Sequence, residues 1–258
     1  MKRILLTLFG LSLVGCAPDI TETDFFSRHP DAPVGDESVE VTSVQDGALE
    51  LRVTAPRPLQ WGHNLISLEA FAGGDPAGAE ATVTPYFLVE GDRIPVPFDP
   101  VTLRSGDEPA VLYLLEPVEL DGRWVLDVVW QSAGSSGTRT VDVTVRPGLW
   151  VGTVPGTGEY LTWVRPTEPR TGQDVLELAL HRFIEGRFQP VEGVPFDLYP
   201  YMDMGGGEGH STPYAPPGSV GNGRYRGEIN FIMSGGWDLT VYVGANRTAV
   251  LFEGFEVR

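Results

Sequence analysis

Arg139-Thr-Val-Asp-Val-Thr-Val145 alternates between polar and apolar side chains, and the same two-residue period recurs over 48–54 and 81–87. Alternation of this kind places the apolar side chains on one face of a β-strand. The run Trp124-Val-Leu-Asp-Val-Val-Trp130 is more continuously apolar, which is typical of a strand buried on both faces. Gly, Pro and Asp separate these runs, so they predict short strands joined by turns. The fold class expected from residue 39 onward is all-β.

The segment Val175–Phe183 tests this prediction, because its leucines could also suit a short helix. The segment alternates and no helix-capping residues flank it, so it is interpreted as a strand. No long stretch of the chain carries a convincing helical period. Many short strands with frequent turns favour β-sandwiches.

Three pairs of similar segments predict that the sandwich occurs twice. They are centred on Gly62 and Gly172, on Pro85-Tyr86 and Pro200-Tyr201, and on Trp124 and Trp237, at offsets of 110, 115 and 113 residues. Near-constant offsets in an unchanged order indicate a duplicated unit of about the size of an immunoglobulin-like domain. Chance matching between β-rich segments is the alternative. We predict two tandem immunoglobulin-like β-sandwich domains, over 39–147 and 148–258.

The first 16 residues consist of a charged start, a short apolar run and small residues before a cysteine. Met1-Lys2-Arg3 precedes a mostly apolar run that ends in Leu13-Val14-Gly15-Cys16, and this ending resembles the lipobox of bacterial lipoproteins. The run is too short for a membrane span, which needs about 20 apolar residues. The sequence predicts a signal peptide over 1–15.

The lipobox resemblance implies that Cys16 becomes the first mature residue and carries acyl chains. The protein would then be extracytoplasmic and held to a membrane by its lipid anchor. By the same resemblance, Ala17 lacks the aspartate that retains lipoproteins in the inner membrane, which favours the outer membrane. Residues 16–38 are acidic and contain proline without periodicity, so they are predicted to form a flexible tether. Cys16 is the only cysteine, so the chain can form no internal disulfide.

Charge and motif content limit the classes of function. The formal charge is −17, and removal of Lys2 and Arg3 with the signal peptide makes it −19. A strongly acidic chain is a poor partner for nucleic acid. The sequence contains no nucleophile elbow, zinc-protease motif or phosphate-binding loop. We therefore expect no enzymatic activity and assign no catalytic residue.

The second predicted domain contains four distinctive segments in this order: Tyr199-Pro-Tyr-Met202-Asp-Met204-Gly, Gly209-His210-Ser, Gly223-Arg-Tyr225-Arg-Gly227 and Phe231-Ile-Met233-Ser-Gly-Gly-Trp237. Over about Gly172 to Val243, these segments and their order resemble the YtkA-like family, which is related to the FixH proteins. It implies a small extracytoplasmic β-sandwich, in a family often associated with copper handling. The first domain would be a degenerate copy, because Phe87 stands where the second has Met202.

The only candidate metal ligands lie within these segments. Met202, Met204 and Met233 are the three methionines that follow Met1, and His210 lies near them in sequence. Thioether sulfur prefers Cu(I), and imidazole also binds copper. The sequence therefore suggests a Cu(I) site and a copper-handling accessory protein of the envelope. The alternative is that the methionines fill a core and that the chain is a non-catalytic structural or protein-interaction module displayed on the envelope.

Overall fold

The computed structural model describes residues 38–258, apart from 119 and 207. The signal peptide, Cys16 and the tether up to residue 37 lie outside the described residues, so the predictions made for them stay predictions. The described chain consists of strands, turns and loops without a helix, which confirms the all-β fold class. Val175–Phe183 lies inside a strand, as predicted. No helix of the described part is long and apolar enough to cross a membrane.

The first sandwich is built from ten strands, β1 to β10. In chain order they are Val39–Asp46, Leu49–Ala55, Gly62–Ala72, Asp75–Pro76, Ala79–Val89, Asp92–Pro95, Val101–Arg104, Ala110–Leu114, Arg123–Ser132 and Ser135–Val143. One antiparallel sheet has the order β1-β2-β3-β4, with β8 also pairing with β3. The other has the order β10-β9-β5-β6, with β7 also pairing with β5. The apolar sides of the two sheets enclose one core, which includes Leu51, Ile66 and Leu126.

The second sandwich is built from β11 to β20. These strands are Val151–Val154, Glu159–Arg165, Gly172–Ile184, Arg187–Pro190, Phe196–Gly205, Glu208–His210, Tyr214–Gly221, Arg224–Phe231, Gly235–Val243 and Thr248–Val257. One sheet has the order β11-β12-β13-β18-β17, with β14 pairing with β13, and the other has the order β16-β15-β19-β20. Their shared core is strongly aromatic and includes Trp163, Trp237 and Phe252.

The three pairs of similar segments occupy equivalent strands of the two sandwiches. Gly62 begins β3 and Gly172 begins β13, and both have positive φ angles, of 91° and 108°. The other two pairs lie on β5 and β15 and on β9 and β19. Gly62 is also closely approached, since a Cβ atom built on it would lie 2.5 Å from the Cβ of Trp150. Both the φ angle and the lack of space explain a glycine at this strand start.

The first sandwich covers the outer face of β12 and β13, so the two sandwiches form one compact unit. Residues 159–164 and 176–181 are buried without interruption. Phe183 and Phe188, from the second sandwich, pack against the core of the first. Phe98 of the first sandwich contacts His181, with ring centroids 5.7 Å apart. The central strands of the second sandwich are therefore covered on both faces.

The hydrogen bonds across this interface join backbone to side chain. The Tyr113 hydroxyl donates to the carbonyl oxygen of Val164 at 3.2 Å, and the Val118 amide donates to the Tyr160 hydroxyl at 2.9 Å. Close to these bonds, the Trp61 amide donates a 3.0 Å hydrogen bond to the carbonyl oxygen of Arg146, which lies in the segment that connects the sandwiches. Aromatic contacts and these bonds together fix one sandwich against the other.

The segment Trp124–Trp130 differs from its sequence interpretation. It forms part of β9 as a strand, but Val129 is 48% exposed and Asp127 is half-buried. The expectation that this strand is buried on both faces is therefore wrong for its second half. On the outer face of β9, Asp127 accepts hydrogen bonds from the exposed side chains of Arg93 and Thr140, whereas the first sandwich packs on the outer face of β12 and β13.

Candidate functional site

The predicted copper ligands lie on or beside one β-hairpin. Met202 and Met204 are on β15 and His210 is on β16, where Met202 and His210 face each other as cross-strand partners. Met202 is only 6% exposed and belongs to the second core, whereas Met204 is 54% exposed. Met233 packs partly buried against the same core, and its carbonyl accepts a 3.1 Å hydrogen bond from the Trp237 indole.

The structure thus brings Met202 and His210 onto adjacent backbone positions and places the thioether of Met204 in solvent. Met202 occupies the core position that Phe87 fills in the first sandwich, since both are buried at matching positions of equivalent strands. Among the described residues, no group of three or more His, Cys, Asp or Glu side chains is arranged to hold a metal ion. Binding of Cu(I) by the methionines stays a prediction.

Two open clefts mark the surface of the described chain. One lies at an end of the first sandwich and includes Glu80, Arg104 and Ser132. The other runs between the sandwiches and is lined by residues that include Tyr113 and Arg165. Both are shallow and lined by residues of mixed charge, so neither has the enclosed apolar form of a small-molecule site.

Two histidines are buried at the contact between the sandwiches. His63 packs against Trp150, with ring centroids 4.5 Å apart, and its Nε2 donates to the carbonyl of Thr167 at 3.0 Å. The Nδ1 atoms of His63 and His181 are buried without a hydrogen-bond partner among the described residues. Burial, reinforced by Arg57, lowers the pKa of His63 to about 4, and burial with Arg224 lowers the pKa of His181 to about 4. Both rings are neutral at pH 7.

The most distinctive exposed surface is the outer face of β15, β19 and β20. It carries five residues with aromatic, aliphatic or hydroxyl side chains, which we call the tyrosine face: Tyr199, Tyr201, Thr240, Tyr242 and Leu251. Tyr199 and Leu251 are 48% and 51% exposed. The rings of Tyr199 and Tyr201 are nearly parallel, at 14°, with centroids 6.0 Å apart. The first sandwich packs on the other sheet of this sandwich, so the tyrosine face points away from it.

An ion pair with an aromatic ring borders the tyrosine face. The Arg247 guanidinium lies 4.2 Å from the centroid of the Tyr242 ring and donates to a carboxylate oxygen of Asp197 at 2.7 Å. The other oxygen of Asp197 accepts from the Tyr214 hydroxyl at 2.9 Å. The Arg247 hydrogen bond, followed by that of Tyr214, lowers the pKa of Asp197. This carboxylate stays ionised and holds the arginine over the ring.

Sequence reasoning did not single out the tyrosine face. A signal was present, because Tyr199-Pro-Tyr201 places two aromatic rings on the same side of a strand. The neighbouring residues on β19 and β20 are far away in sequence, and only strand pairing brings them beside Tyr199 and Tyr201.

Comparison with known proteins gives likenesses of fold only. No protein-family profile and no curated protein matches this sequence. Among solved structures, the chain is similar to the Escherichia coli adhesin FdeC (14% identity, TM-score 0.27), over 81% of this chain and 64% of that one. It is similar to the bacterial integrin-binding protein invasin, with 16% identity and a TM-score of 0.26, over 80% of this chain and 39% of that one. It is also similar to domains 4 and 5 of the S-layer protein SbsC, with 12% identity and a TM-score of 0.24, over 84% of this chain and 98% of that one. The chain thus spans less than two thirds of the adhesin and invasin structures, and superpositions this loose assign no function.

Proposed function

We propose that this protein is a non-catalytic interaction module of the cell envelope that docks a partner protein through its tyrosine face. The observation that carries the proposal is the exposure of Tyr199 and Leu251, beside the half-buried Tyr201, on the outer face of the β16-β15-β19-β20 sheet. Tyrosine and arginine are enriched at protein interfaces, because they combine a large contact area with a polar end. Tyrosine also loses little conformational entropy on binding.

The position of the face supports this function. The described chain begins at residue 38, in the first sandwich, and the tyrosine face belongs to the far sheet of the second. The contact between the sandwiches holds that sheet in a fixed position relative to the first strand. The tyrosine face therefore lies on the sheet of the second sandwich that does not pack on the first.

The attachment itself rests on the sequence of the first 16 residues. A charged start, a short apolar run and a lipobox-like ending support lipidation of Cys16, and several acyl chains give stable membrane anchoring. We propose the outer membrane as the location, following the absence of an aspartate at position 17.

Photocrosslinking in intact cells tests the docking function. A photoreactive amino acid at position 251 lies on the tyrosine face, and the same group at position 129 is the matched control, since Val129 is 48% exposed on the equivalent sheet of the first sandwich. We expect a discrete adduct of defined mass from position 251 and none from position 129. Identical adduct patterns from both positions, or no adduct from position 251, would refute the function.

We propose Cu(I) binding as a second candidate function, favoured by the cross-strand pairing of Met202 with His210 and by the YtkA-like resemblance. The mature chain would be titrated with Cu(I) against a competing chelator, before and after combined Met202→Leu and Met204→Leu. Leucine has roughly the volume of methionine. If the methionines only fill the core, the substitutions should lower the free energy of unfolding by less than about 1.5 kcal/mol and should leave Cu(I) affinity unchanged. Stoichiometric binding that the double substitution removes would support the site, and no binding by the unmodified chain would exclude it.

A further inference from the structure

Arginine, tyrosine and aspartate form a recurring surface arrangement in this protein. On the first sandwich, the Arg93 guanidinium lies 5.1 Å from the centroid of the Tyr86 ring and pairs with Asp127. On the second sandwich, Arg247 covers Tyr242 and pairs with Asp197. In both places a carboxylate neutralises the guanidinium while an aromatic ring supports its flat face, which is the favoured geometry for arginine.

A third tyrosine and aspartate pair stands on the tyrosine face. Tyr201 on β15 and Asp238 on β19 are direct cross-strand partners. Asp197 and Tyr242 form the same kind of pair four rungs further along these two strands. One oxygen of Asp238 accepts a 2.7 Å hydrogen bond from the Gly254 amide. Within the described part of the chain, Asp238 forms no ion pair and no cation lies over Tyr201.

Comparison with the first sandwich explains why no arginine of this chain covers Tyr201 within the described residues. Tyr86 and Tyr201 are equivalent by sequence and by strand. Arg93 pairs with the residue two positions after Tyr86, and Gly209 pairs with the residue two positions after Tyr201. Glycine therefore stands where the first sandwich has its covering arginine. The Tyr201 ring lies over Gly209 so closely that a Cβ there would be 2.2 Å from the ring.

We propose that the Tyr201–Asp238 pair is a docking subsite for an arginine side chain of the partner protein. This inference rests on the proposed docking function and names the chemistry that the partner must present. Asp203, Asp238 and Glu253 make this end of the face acidic, and Arg247, on its other border, is already paired with Asp197. Charge complementarity thus favours a cationic group. The parallel rings of Tyr199 and Tyr201 favour the planar guanidinium of arginine over the compact ammonium of lysine.

A peptide titration tests the subsite. The probe is acetyl-Gly-Gly-Arg-Gly-Gly-amide, compared with peptides that carry citrulline or lysine instead of arginine. Binding to the isotope-labelled mature chain would be followed by NMR at the Gly254 amide, which touches Asp238. We expect a saturable shift with the arginine peptide, and binding about threefold to tenfold weaker for citrulline, which has the shape but no charge.

Three variants of the full mature chain serve as controls. Asp238→Asn keeps an acceptor for the Gly254 amide but removes the charge, and Tyr201→Leu removes the ring; each is expected to abolish the saturable shift. Tyr86→Leu is the matched control that leaves binding unchanged, because Tyr86 is already covered by Arg93. No saturable shift with the arginine peptide, equal binding of citrulline, or equal binding by the Tyr201 variant would overturn the subsite.

Sedimentation of the chain alone separates a foreign partner from a second copy. Self-association that Asp238→Asn abolishes would identify another copy as the arginine donor and overturn the assignment to a different protein. The crosslinking experiment remains independent of these outcomes. An adduct from position 251 without peptide binding would leave the docking function intact and remove only the arginine subsite.

Discussion

Acidification should destabilise this protein through the two histidines buried between its sandwiches. His63 and His181 each have a pKa of about 4 in the folded chain, because burial opposes their charged form. In the unfolded chain their pKa is about 6.5. Below pH 6.5 the unfolded state binds protons that the folded state does not, so the free energy of unfolding falls as the pH falls.

The magnitude follows from the difference in pKa. One unit corresponds to about 1.4 kcal/mol, so each histidine removes about 3 kcal/mol by pH 4, and both together remove about 6 kcal/mol. The loss is absent above pH 6.5 and complete below pH 4. Within this window the slope approaches about 1.4 kcal/mol per pH unit for each ring. A loss of this size is comparable with the whole stability of a typical domain.

Burial outweighs the groups that would stabilise a protonated ring. Burial and then the charge of Arg57 lower the pKa of His63, and backbone hydrogen bonds to Trp163 and Thr167 offset this only in part. His181 faces the Phe98 ring and the charge of Arg224, between its strand partners Tyr160 and Pro190. A proton on either ring would add a buried positive charge beside an arginine.

Urea unfolding at several pH values between 7 and 4 measures this effect. His63→Gln retains a donor for the Thr167 carbonyl, and His181→Gln removes the second titration; together they should flatten the slope between pH 6 and pH 4.5. His210→Gln is the control, because His210 is exposed on β16 and outside the interface. If the double variant keeps the slope of the unmodified protein, the interface histidines are not the cause and the reasoning fails.

Three further predictions concern the backbone, the domain contact and the anchor. Gly62→Ala should cost at least about 2 kcal/mol in urea unfolding, since it combines a positive φ with a contact on Trp150; Gly47→Ala, at a positive φ in open space, should cost less, and equal costs would argue against the close contact. A fragment of residues 148–258 should show β-structure by circular dichroism, because its core is complete. It should unfold at lower urea than the full chain and self-associate, because β12 and β13 lose their cover; full-chain stability in the fragment would contradict this. Cys16→Ser should abolish lipidation, and a variant that stays membrane-bound after signal removal, as judged by detergent partitioning, would refute the lipoprotein prediction.

The amino-acid sequence by itself determined the strand content and the doubling of the sandwich. Alternation is a local property, since each residue of a strand points to the face opposite its neighbours, and it can be seen without knowing what covers either face. For the same reason it identified Val175–Phe183 as a strand. The matched positions around Gly62 and Gly172 could be found because both begin equivalent strands with positive φ angles, a conformation that favours glycine.

Which strand faces are covered was decided only by the tertiary structure. The apolar run Trp124–Trp130 indicated burial on both faces, yet Val129 is exposed, while residues 159–164 are buried throughout. Coverage of an outer face depends on the packing of a separate sandwich, and no local period records it. The tyrosine face has the same origin. Tyr201 and Asp238 are distant in sequence, and cross-strand pairing alone makes them neighbours, because register joins residues by hydrogen bonds between strands and not by their spacing along the chain.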